Sequence, residues 1–103
     1  MIAAAAYVYI ISNKSRRLYI GATTDLVRRV REHKEKLYPS AFTARYNFTR
    51  LVYFETLASF EDALERERYL KGLLRAKNIA MIQEKNPHWL DLSANWSARL
   101  LLT

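Results

Sequence analysis

The sequence has no cysteine, and it has only two glycines and two prolines among 103 residues. Without thiols the chain forms neither disulfides nor thiolate metal sites, so any metal must be bound through oxygen or histidine nitrogen. Such a composition fits a reducing cytoplasm. A glycine-rich phosphate loop is excluded because the two glycines, Gly21 and Gly72, stand far apart. No Pro/Gly-rich break divides the chain, which predicts one domain.

Long apolar runs are also absent. No stretch approaches the roughly 20 apolar residues of a membrane span. The N-terminal Met-Ile-Ala-Ala-Ala-Ala lacks a basic start and leads directly into a strand-like pattern, so we do not interpret it as a signal peptide. We expect a soluble, cytoplasmic protein. Histidine-pair and cysteine zinc patterns, a nucleophile turn and the helical DNA-reading modules are missing as well.

Positive charge and apolar residues are abundant. Seventeen Lys and Arg against ten Asp and Glu give a net charge of +7, and 50% of the residues are hydrophobic. That hydrophobic share is ample for one core. A basic surface attracts polyanions, among which nucleic acid is the commonest partner. The net charge alone does not exclude the alternative that the basic surface serves only solubility.

The hydrophobic pattern predicts a small mixed α/β domain with a mainly antiparallel sheet. Asp25 is the expected N-cap of the first helix, and Ser59 opens the second. Tyr38 to Arg50 reads as a long loop, and Asn86-Pro87 ends the last helix. The expected elements are strands at 6–11, 18–20 and 51–54, joined first by a hairpin, and helices at 26–37, 59–74 and 76–84.

Glu67 is the most informative single position. On the second helix it shares a face with Ala63, Leu70 and Leu74. Its polar neighbours Glu65, Arg66, Arg68 and Lys71 are expected to be solvated. A carboxylate on an apolar stripe carries a burial cost unless it is paired or binds a cation. Spacing alone favours a structural ion pair, for example with an arginine, over a metal ligand.

Arg29 and His33 stand four residues apart on the first helix, so they lie on one side of it. His33 continues the apolar stripe of Leu26, Val30 and Leu37, while Arg28, Arg31, Lys34 and Lys36 are expected to point outward. An arginine suits a phosphate, and a histidine beside it can donate to a phosphate oxygen or move a proton. The alternative is a histidine at the edge of the core beside an arginine that pairs with an acid.

Three tyrosines, Tyr7, Tyr9 and Tyr19, are most simply sheet residues. A phenol is a poor base at its usual pKa of about 10, so catalysis by one would need a nearby cation. Arg29 or a metal would supply that cation. The strand register decides whether Tyr9 and Tyr19 meet, and the sequence leaves it open.

An ordered set of motifs resembles the GIY-YIG nuclease superfamily, and in particular its small stand-alone bacterial members. The set covers roughly residues 6 to 92. In order, it consists of Tyr7-Val8-Tyr9, Tyr19-Ile20-Gly21, Asp25-Leu26-Val27-Arg28-Arg29, Glu32-His33-Lys34, Ala63-Leu64-Glu65-Arg66-Glu67, Leu70-Lys71-Gly72 and Asn86-Pro87-His88-Trp89-Leu90-Asp91-Leu92.

The resemblance implies a three-stranded antiparallel sheet flanked by helices and metal-assisted phosphodiester hydrolysis. Tyr19 matches the general base or water-positioning tyrosine, Tyr9 a site-lining tyrosine and Arg29 the phosphate-binding arginine. His33 matches a position held by histidine or tyrosine, and Glu67 matches the metal-binding glutamate. The resemblance thus reverses the preference at Glu67, toward a ligand for Mg²⁺ or Mn²⁺.

Two departures from the family pattern concern the signatures. The first signature reads Tyr-Val-Tyr, and Ala22 follows the second, where some relatives have a lysine that helps the tyrosine lose its proton. That substitution implies slower catalysis or a different base. Asn78 and Asn86 are two candidates for an asparagine found in some relatives, and neither is assigned to the site.

We therefore expect a DNA endonuclease, active in repair or recombination, that selects DNA shape, nicks or branches, or whose selectivity comes from a protein partner. The first alternative is a nucleic-acid-binding module with weak or lost catalysis. The second is a protein-interaction module that docks through residues 89–103. The domain is expected to span 1–92, with a tail at 93–103 and Trp89 packed on the domain. Candidate phosphate contacts are Arg16, Arg17, Arg28, Arg31, Arg45 and Lys71.

Overall fold

Three strands form an antiparallel sheet in the order β2-β1-β3 in a computed structural model that describes residues 5–37 and 42–96. The strands are β1 (Ala6–Ser12), β2 (Leu18–Thr23) and β3 (Arg50–Leu57). Six of the seven residues of β1 are buried, because it has a neighbour on each side and helices above and below. The predicted mixed α/β fold is confirmed.

In the described ranges four helices accompany the sheet. Asp25 caps the first by accepting a hydrogen bond from the Arg28 N–H, and Ser59 caps the third by accepting one from the Asp62 N–H. Both caps confirm the sequence prediction, because a capping side chain acts on the backbone only three residues ahead. The helices are α1 (Leu26–Glu35), α2 (Phe42–Arg45), α3 (Phe60–Gly72) and α4 (Arg75–Lys85).

Each face of the sheet has its own core. Strand side chains alternate, so neighbouring residues of β1 point to opposite faces. Val8 and Ile10 pack with residues of α3, α4 and the following loop, whereas Tyr9 and Ile11 pack with α1. The first core contains Leu70, Ile82 and Trp89, and the second contains Leu26, Val30, Phe48 and Leu51. The predicted packing of Trp89 on the domain is thereby confirmed.

The prediction of a long loop from Tyr38 to Arg50 was wrong for part of that segment. Residues 38–41 lie outside the described ranges, but Phe42–Arg45 form α2 and Arg50 begins β3. Thr43 and Phe48 are buried. Burial against α1 and the sheet stabilises a turn of helix whose sequence has no strong local signal.

Two leucines predicted to extend apolar helix faces lie beyond the helix ends. Leu37 is 52% exposed, because Lys36 takes up the left-handed conformation (φ 53°) and ends α1. Leu74 is 72% exposed and precedes α4 in an extended conformation, so it does not share the face of Glu67. Apolar spacing continued past both helices, where the backbone no longer follows a helical period.

The chain after α4 returns to the sheet. Asn86 bonds through its side chain to the backbone of Val52 and Leu90, and the Leu92 N–H donates to the Leu51 carbonyl at 2.8 Å. Ser93 is buried and the Trp96 ring packs edge-on against Phe54. This segment covers the outer edge of β3, and edge strands need such cover. The predicted tail beyond Trp96 lies outside the described residues, and the domain boundary at residue 92 stays a prediction.

None of the helices in the described part of the chain is long and apolar enough to cross a membrane.

Candidate active site

Tyr9 and Tyr19 lie on the same face of the sheet. The register pairs Tyr9 with Gly21 and Ile11 with Tyr19, and the two phenol rings are 6.5 Å apart. A Cβ atom at Gly21 would lie 2.5 Å from the Tyr9 hydroxyl oxygen and 2.6 Å from its Cζ atom. The glycine therefore leaves the space in which the Tyr9 phenol crosses β2.

The Tyr9 hydroxyl is bound by two side chains of α1. Arg29 Nε donates to it at 3.4 Å, and His33 Nε2 lies 3.1 Å away. Burial raises the pKa of Tyr9 to about 12, although the hydrogen bond from Arg29 opposes the shift. Tyr9 is thus a neutral phenol that holds its partners in place.

His33 is buried and neutral. Its Nδ1 atom lies 3.2 Å from the Thr43 hydroxyl, so both ring nitrogens have partners. Burial lowers the pKa of His33 to about 4, and the positive charge of Arg29 adds to the effect. The side chain bridges α2 to the tyrosines, and it carries no charge at neutral pH.

Tyr19 differs from Tyr9 in its environment. It is half-buried, with its ring centroid 5.5 Å from that of His33. Among the described residues no side chain or backbone group is hydrogen-bonded to its hydroxyl. Of the two phenols, Tyr19 is therefore the one whose oxygen can bind a water molecule or an incoming substrate.

Arg29 is oriented by Glu32, a residue that the sequence reasoning did not select. Glu32 accepts from Arg29 Nη1 at 3.1 Å and from Arg28 Nε at 3.3 Å, and its side chain is only 10% exposed. The bond from Arg29 lowers the pKa of Glu32. Burial disfavours the Arg29 charge, but its bonds to Tyr9 and Glu32 outweigh this and raise its pKa. The spacing of Glu32, three and four residues after the arginines, was the available signal.

Glu67 lies on α3 between the buried residues Ala63 and Leu70, as predicted, with its side chain 20% exposed. Its Oε1 atom accepts from Lys71 Nζ at 2.9 Å, so the expected ion pair exists, although with a lysine. The charge of Glu67 contributes to the raised pKa of Tyr9, which places the two side chains in the same electrostatic neighbourhood. Glu67 is thus a partly exposed carboxylate whose charge acts on Tyr9.

The two candidate asparagines are separated by the structure. Asn86 uses its side chain to bind backbone groups of Val52 and Leu90, away from the tyrosines. Asn78 is 5% exposed and lines a groove of about 370 Å³ together with Tyr19. Its Nδ2 atom donates to the Leu70 carbonyl, while its Oδ1 atom has no partner among the described residues. Only Asn78 lies beside the candidate site.

Two basic side chains that were expected to face solvent are paired with acids. Arg66, expected to be solvated, donates to both carboxylate oxygens of Glu55 at 2.9 Å, and Lys34, expected to point outward, pairs with Asp91. Both predictions were wrong, because an acid from another element lies next to each helix.

The six candidate phosphate contacts are exposed but scattered, and most already touch a neighbour. Two pair with acids on their own helices, Arg28 with Glu32 and Lys71 with Glu67. Arg31 is exposed on α1. The guanidinium of Arg16 lies over the Trp89 ring, and those of Arg17 and Arg45 lie over the Tyr46 ring.

Comparison with known proteins places the chain in a family. The model of the GIY-YIG catalytic domain matches residues 5–80. A UPF0213 protein of Syntrophus aciditrophicus is 32% identical over 81 residues, covering 79% of this chain and 92% of the relative. A UPF0213 protein of Haloquadratum walsbyi is 37% identical over 78 residues, covering 76% and 86%.

The fold has a counterpart among solved structures. The solution NMR structure of a UPF0213 protein from Bacillus halodurans superposes with a TM-score of 0.53 at 30% sequence identity, covering 87% of this chain and 94% of that one. The tyrosine pair on one sheet face, the arginine of α1 and the glutamate of α3 thus occur in a chain that belongs to the GIY-YIG family of nuclease domains.

Proposed function

We propose that the protein is a divalent-metal-dependent DNA endonuclease that hydrolyses phosphodiester bonds at the Tyr9–Tyr19 face of the sheet. The observation that carries the proposal is the contrast between two neighbouring phenols. Tyr9 is buried and bound by Arg29 and His33, while the Tyr19 hydroxyl has no partner in the described ranges. One tyrosine holds the site together and the other is available for chemistry.

In this proposal Arg29 binds the scissile phosphate. Its side chain is 35% exposed, and Glu32 and Tyr9 fix its direction from two sides. A guanidinium held in this way offers its remaining N–H groups to phosphate oxygens and stabilises the charge that develops in the transition state. Pre-orientation by neighbours lowers the entropic cost of that contact.

Tyr19 positions the attacking water and accepts its proton. Ala22 supplies no cation behind Tyr19, but the charge of Arg29 interacts with Tyr19, and Lys71 and Arg75 line the same groove. His33, neutral and packed against both tyrosine rings, keeps them apart and in place.

Glu67 is the proposed ligand for Mg²⁺ or Mn²⁺. In the ranges 5–37 and 42–96 no group of three or more His, Asp or Glu side chains gathers as a metal cage. Mg²⁺ nevertheless binds commonly through one or two carboxylates, several waters and substrate phosphates, which a single partly exposed glutamate satisfies. When bound there, the cation would supply charge stabilisation for the leaving oxygen.

The proposed substrate is DNA that carries a nick or a branch, in repair or recombination. The net charge of +7 supports a polyanionic ligand. Shape selectivity, or a protein partner, would supply the specificity, since the exposed cations are scattered rather than gathered on one recognition helix.

A second candidate function is nucleic-acid binding without cleavage. It is favoured by the ion pair between Glu67 and Lys71, which occupies one carboxylate oxygen of the proposed metal ligand. In the alternative in which residues 89–103 dock a protein partner, Trp89 cannot contact that partner, because it is a core residue and only 4% exposed.

The test is cleavage of nicked, branched, single-stranded and plain duplex DNA with Mg²⁺ or Mn²⁺ by wild type, Glu67→Gln and Glu65→Gln. Glu65 is exposed on the same helix, so its variant matches the change in charge without touching the site. Loss of the exposed Glu67–Lys71 pair should cost at most about 0.5 kcal/mol, so both variants should fold.

Cleavage by the wild type and by Glu65→Gln, lost only in Glu67→Gln, would support the nuclease and the role of Glu67. Binding without cleavage in all three proteins would favour the second candidate. Equal cleavage by all three would keep the nuclease but remove Glu67 from its site.

A further inference from the structure

A depression of about 470 Å³ lies at the turn end of the sheet, outside the candidate active site. It is formed by the β1–β2 turn, the end of α1 and the segment that leads into β3. Its lining contains three cations and no acidic side chain, although the chain has ten acidic residues. The lining residues are Asn13, Lys14, Ser15, Lys36, Tyr46, Asn47, Thr49 and Arg50.

The cations of this turn-end depression are not engaged by acids. In the described part of the chain neither Lys14 nor Arg50 forms an ion pair or a side-chain hydrogen bond, and Arg50 is half-buried. Lys36 donates to the neutral Asn47 side-chain oxygen, which leaves two of its three N–H donors. An arginine and a lysine without acid partners leave their N–H donors available to an anion.

The end of α1 does not repel an anion here as strongly as a bare helix C-terminus would. The Lys36 N–H is directed back to the carbonyls of Glu32 and His33, and the Leu37 N–H also donates to the Glu32 carbonyl. Backbone groups therefore satisfy two of the carbonyls in the last turn of the helix. The Lys36 ammonium is left to face the depression.

The depression lies in line with the candidate active site. Asn13 follows Tyr9 by four residues along β1 and its end, which is about 13 Å at the rise of a strand. Lys36 follows His33 by three residues on the same side of the sheet. A duplex rises about 3.4 Å per base pair along its axis, so 13 Å corresponds to about four base pairs for a duplex whose axis runs along β1.

We propose that Lys14, Lys36 and Arg50 form a second phosphate-binding site, which holds a backbone phosphate of the DNA substrate about four nucleotides from the scissile bond. This assignment rests on the proposed function for the DNA ligand. Three convergent cations suit the non-bridging oxygens of one phosphate, and the neighbouring Asn, Ser and Thr side chains offer neutral donors. Free phosphate shares this chemistry and is the other possible source.

The test compares wild type with the double variant Lys14→Gln/Arg50→Gln and with a matched control, Arg68→Gln/Lys77→Gln. The control pair is exposed on α3 and α4 and removes the same charge. Binding is measured by fluorescence anisotropy without metal, on DNA that extends ten or more nucleotides beyond the nick or branch and on DNA that extends only two nucleotides beyond it. Both kinds of DNA are prepared in two forms, one truncated from each end.

We expect the site variant to bind long DNA about 10-fold more weakly, with a salt slope smaller by about 0.9. Short DNA should be bound equally by both variants. Metal-dependent cleavage should show the loss in KM and leave kcat unchanged. Because anisotropy measures binding without cleavage, the difference between the variants would be visible even if the protein did not cleave DNA.

An equal loss for the control variant would show a general charge effect and overturn the proposal, as would an equal loss on short DNA. Unchanged binding of long DNA by the site variant would also overturn it while leaving the nuclease untouched. If inorganic phosphate titrated by NMR shifts the Asn13 and Asn47 amides in wild type only, and DNA binding is the same in all proteins, the depression binds a free anion and the DNA assignment fails.

Discussion

Gly21→Ala is the smallest change that should disrupt the candidate site. The new Cβ atom would lie 2.5 Å from the Tyr9 hydroxyl oxygen, 2.6 Å from Cζ and 2.9 Å from Cε1. The phenol is rigid and 1% exposed, so its ring cannot turn into solvent without leaving the core. The ring or β2 must shift, and the contacts of the hydroxyl with Arg29 and His33 should be lost.

The cost follows from these contacts. Two hydrogen bonds at about 1 kcal/mol each, and about 1–2 kcal/mol for overpacking a buried ring, give a loss of about 3–4 kcal/mol in the free energy of unfolding. Urea unfolding followed by circular dichroism measures it. Combining Gly21→Ala with Tyr9→Phe should not relieve the clash, because the Cζ atom of the ring stays within 2.6 Å of the new methyl group.

Gly72→Ala is the matched control, since it is the same substitution at the other glycine of the chain. A Cβ there meets nothing within 4 Å, and Gly72 is the last residue of α3. Alanine in a helix should therefore be neutral or stabilising by up to about 1 kcal/mol. A loss below 1 kcal/mol for Gly21→Ala, or equal losses at both glycines, would refute the reasoning.

Three further perturbations test other contacts. The pKa of His33 falls to about 4 in the folded state, so the unfolded chain, with a pKa near 6.5, binds the proton first as the pH drops. This contribution to stability is complete above pH 6.5 and is lost toward pH 4. The unfolding free energies of wild type and His33→Gln should therefore differ by about 2–3 kcal/mol less at pH 4.5 than at pH 7, and a constant difference would contradict the burial argument. Asn86→Ala removes three side-chain hydrogen bonds and should cost about 3 kcal/mol in urea unfolding, yet leave cleavage per folded molecule unchanged; a specific loss of cleavage would place Asn86 in the site instead. Glu32→Gln should lower kcat about 10-fold with little change in KM, because Arg29 loses its charged partner, whereas the exposed Glu35→Gln should not; equal kinetics for the two would remove the orienting role.

The strands and helix caps were predictable because their signals are local. β1 carries alternating aromatic and β-branched residues, and a strand selects them by the space that its pleat offers. Asp25 and Ser59 act on backbone groups three residues away, within the window in which sequence patterns are informative. Neither prediction required knowledge of tertiary contacts.

The segment before β3 shows why other features were not predictable. Thr43 belongs to α2 and is bonded to the His33 ring, ten residues earlier in the chain. Its burial depends on how α1 lies on the sheet, which no local pattern specifies. The same holds for Arg66, whose partner Glu55 is on β3. Ion pairs between elements need the topology before they can be assigned.

The family resemblance assigned different roles to Tyr9 and Tyr19, and those roles stay predictions. Tyr9 and Tyr19 carry the same side chain, and their spacing alone gives no physical reason for different roles. The register distinguishes them, because it places Gly21 under the Tyr9 phenol and so permits Tyr9 to be buried between Arg29 and His33. Burial raises the pKa of Tyr9 to about 12, so deprotonating it at neutral pH would cost roughly 7 kcal/mol, against roughly 4 kcal/mol for a phenol with the usual pKa of about 10. The Tyr19 hydroxyl has no hydrogen-bond partner in the described residues, so in the proposed mechanism Tyr19 is the base, and Tyr9→Phe should leave more activity than Tyr19→Phe when both are compared per folded molecule.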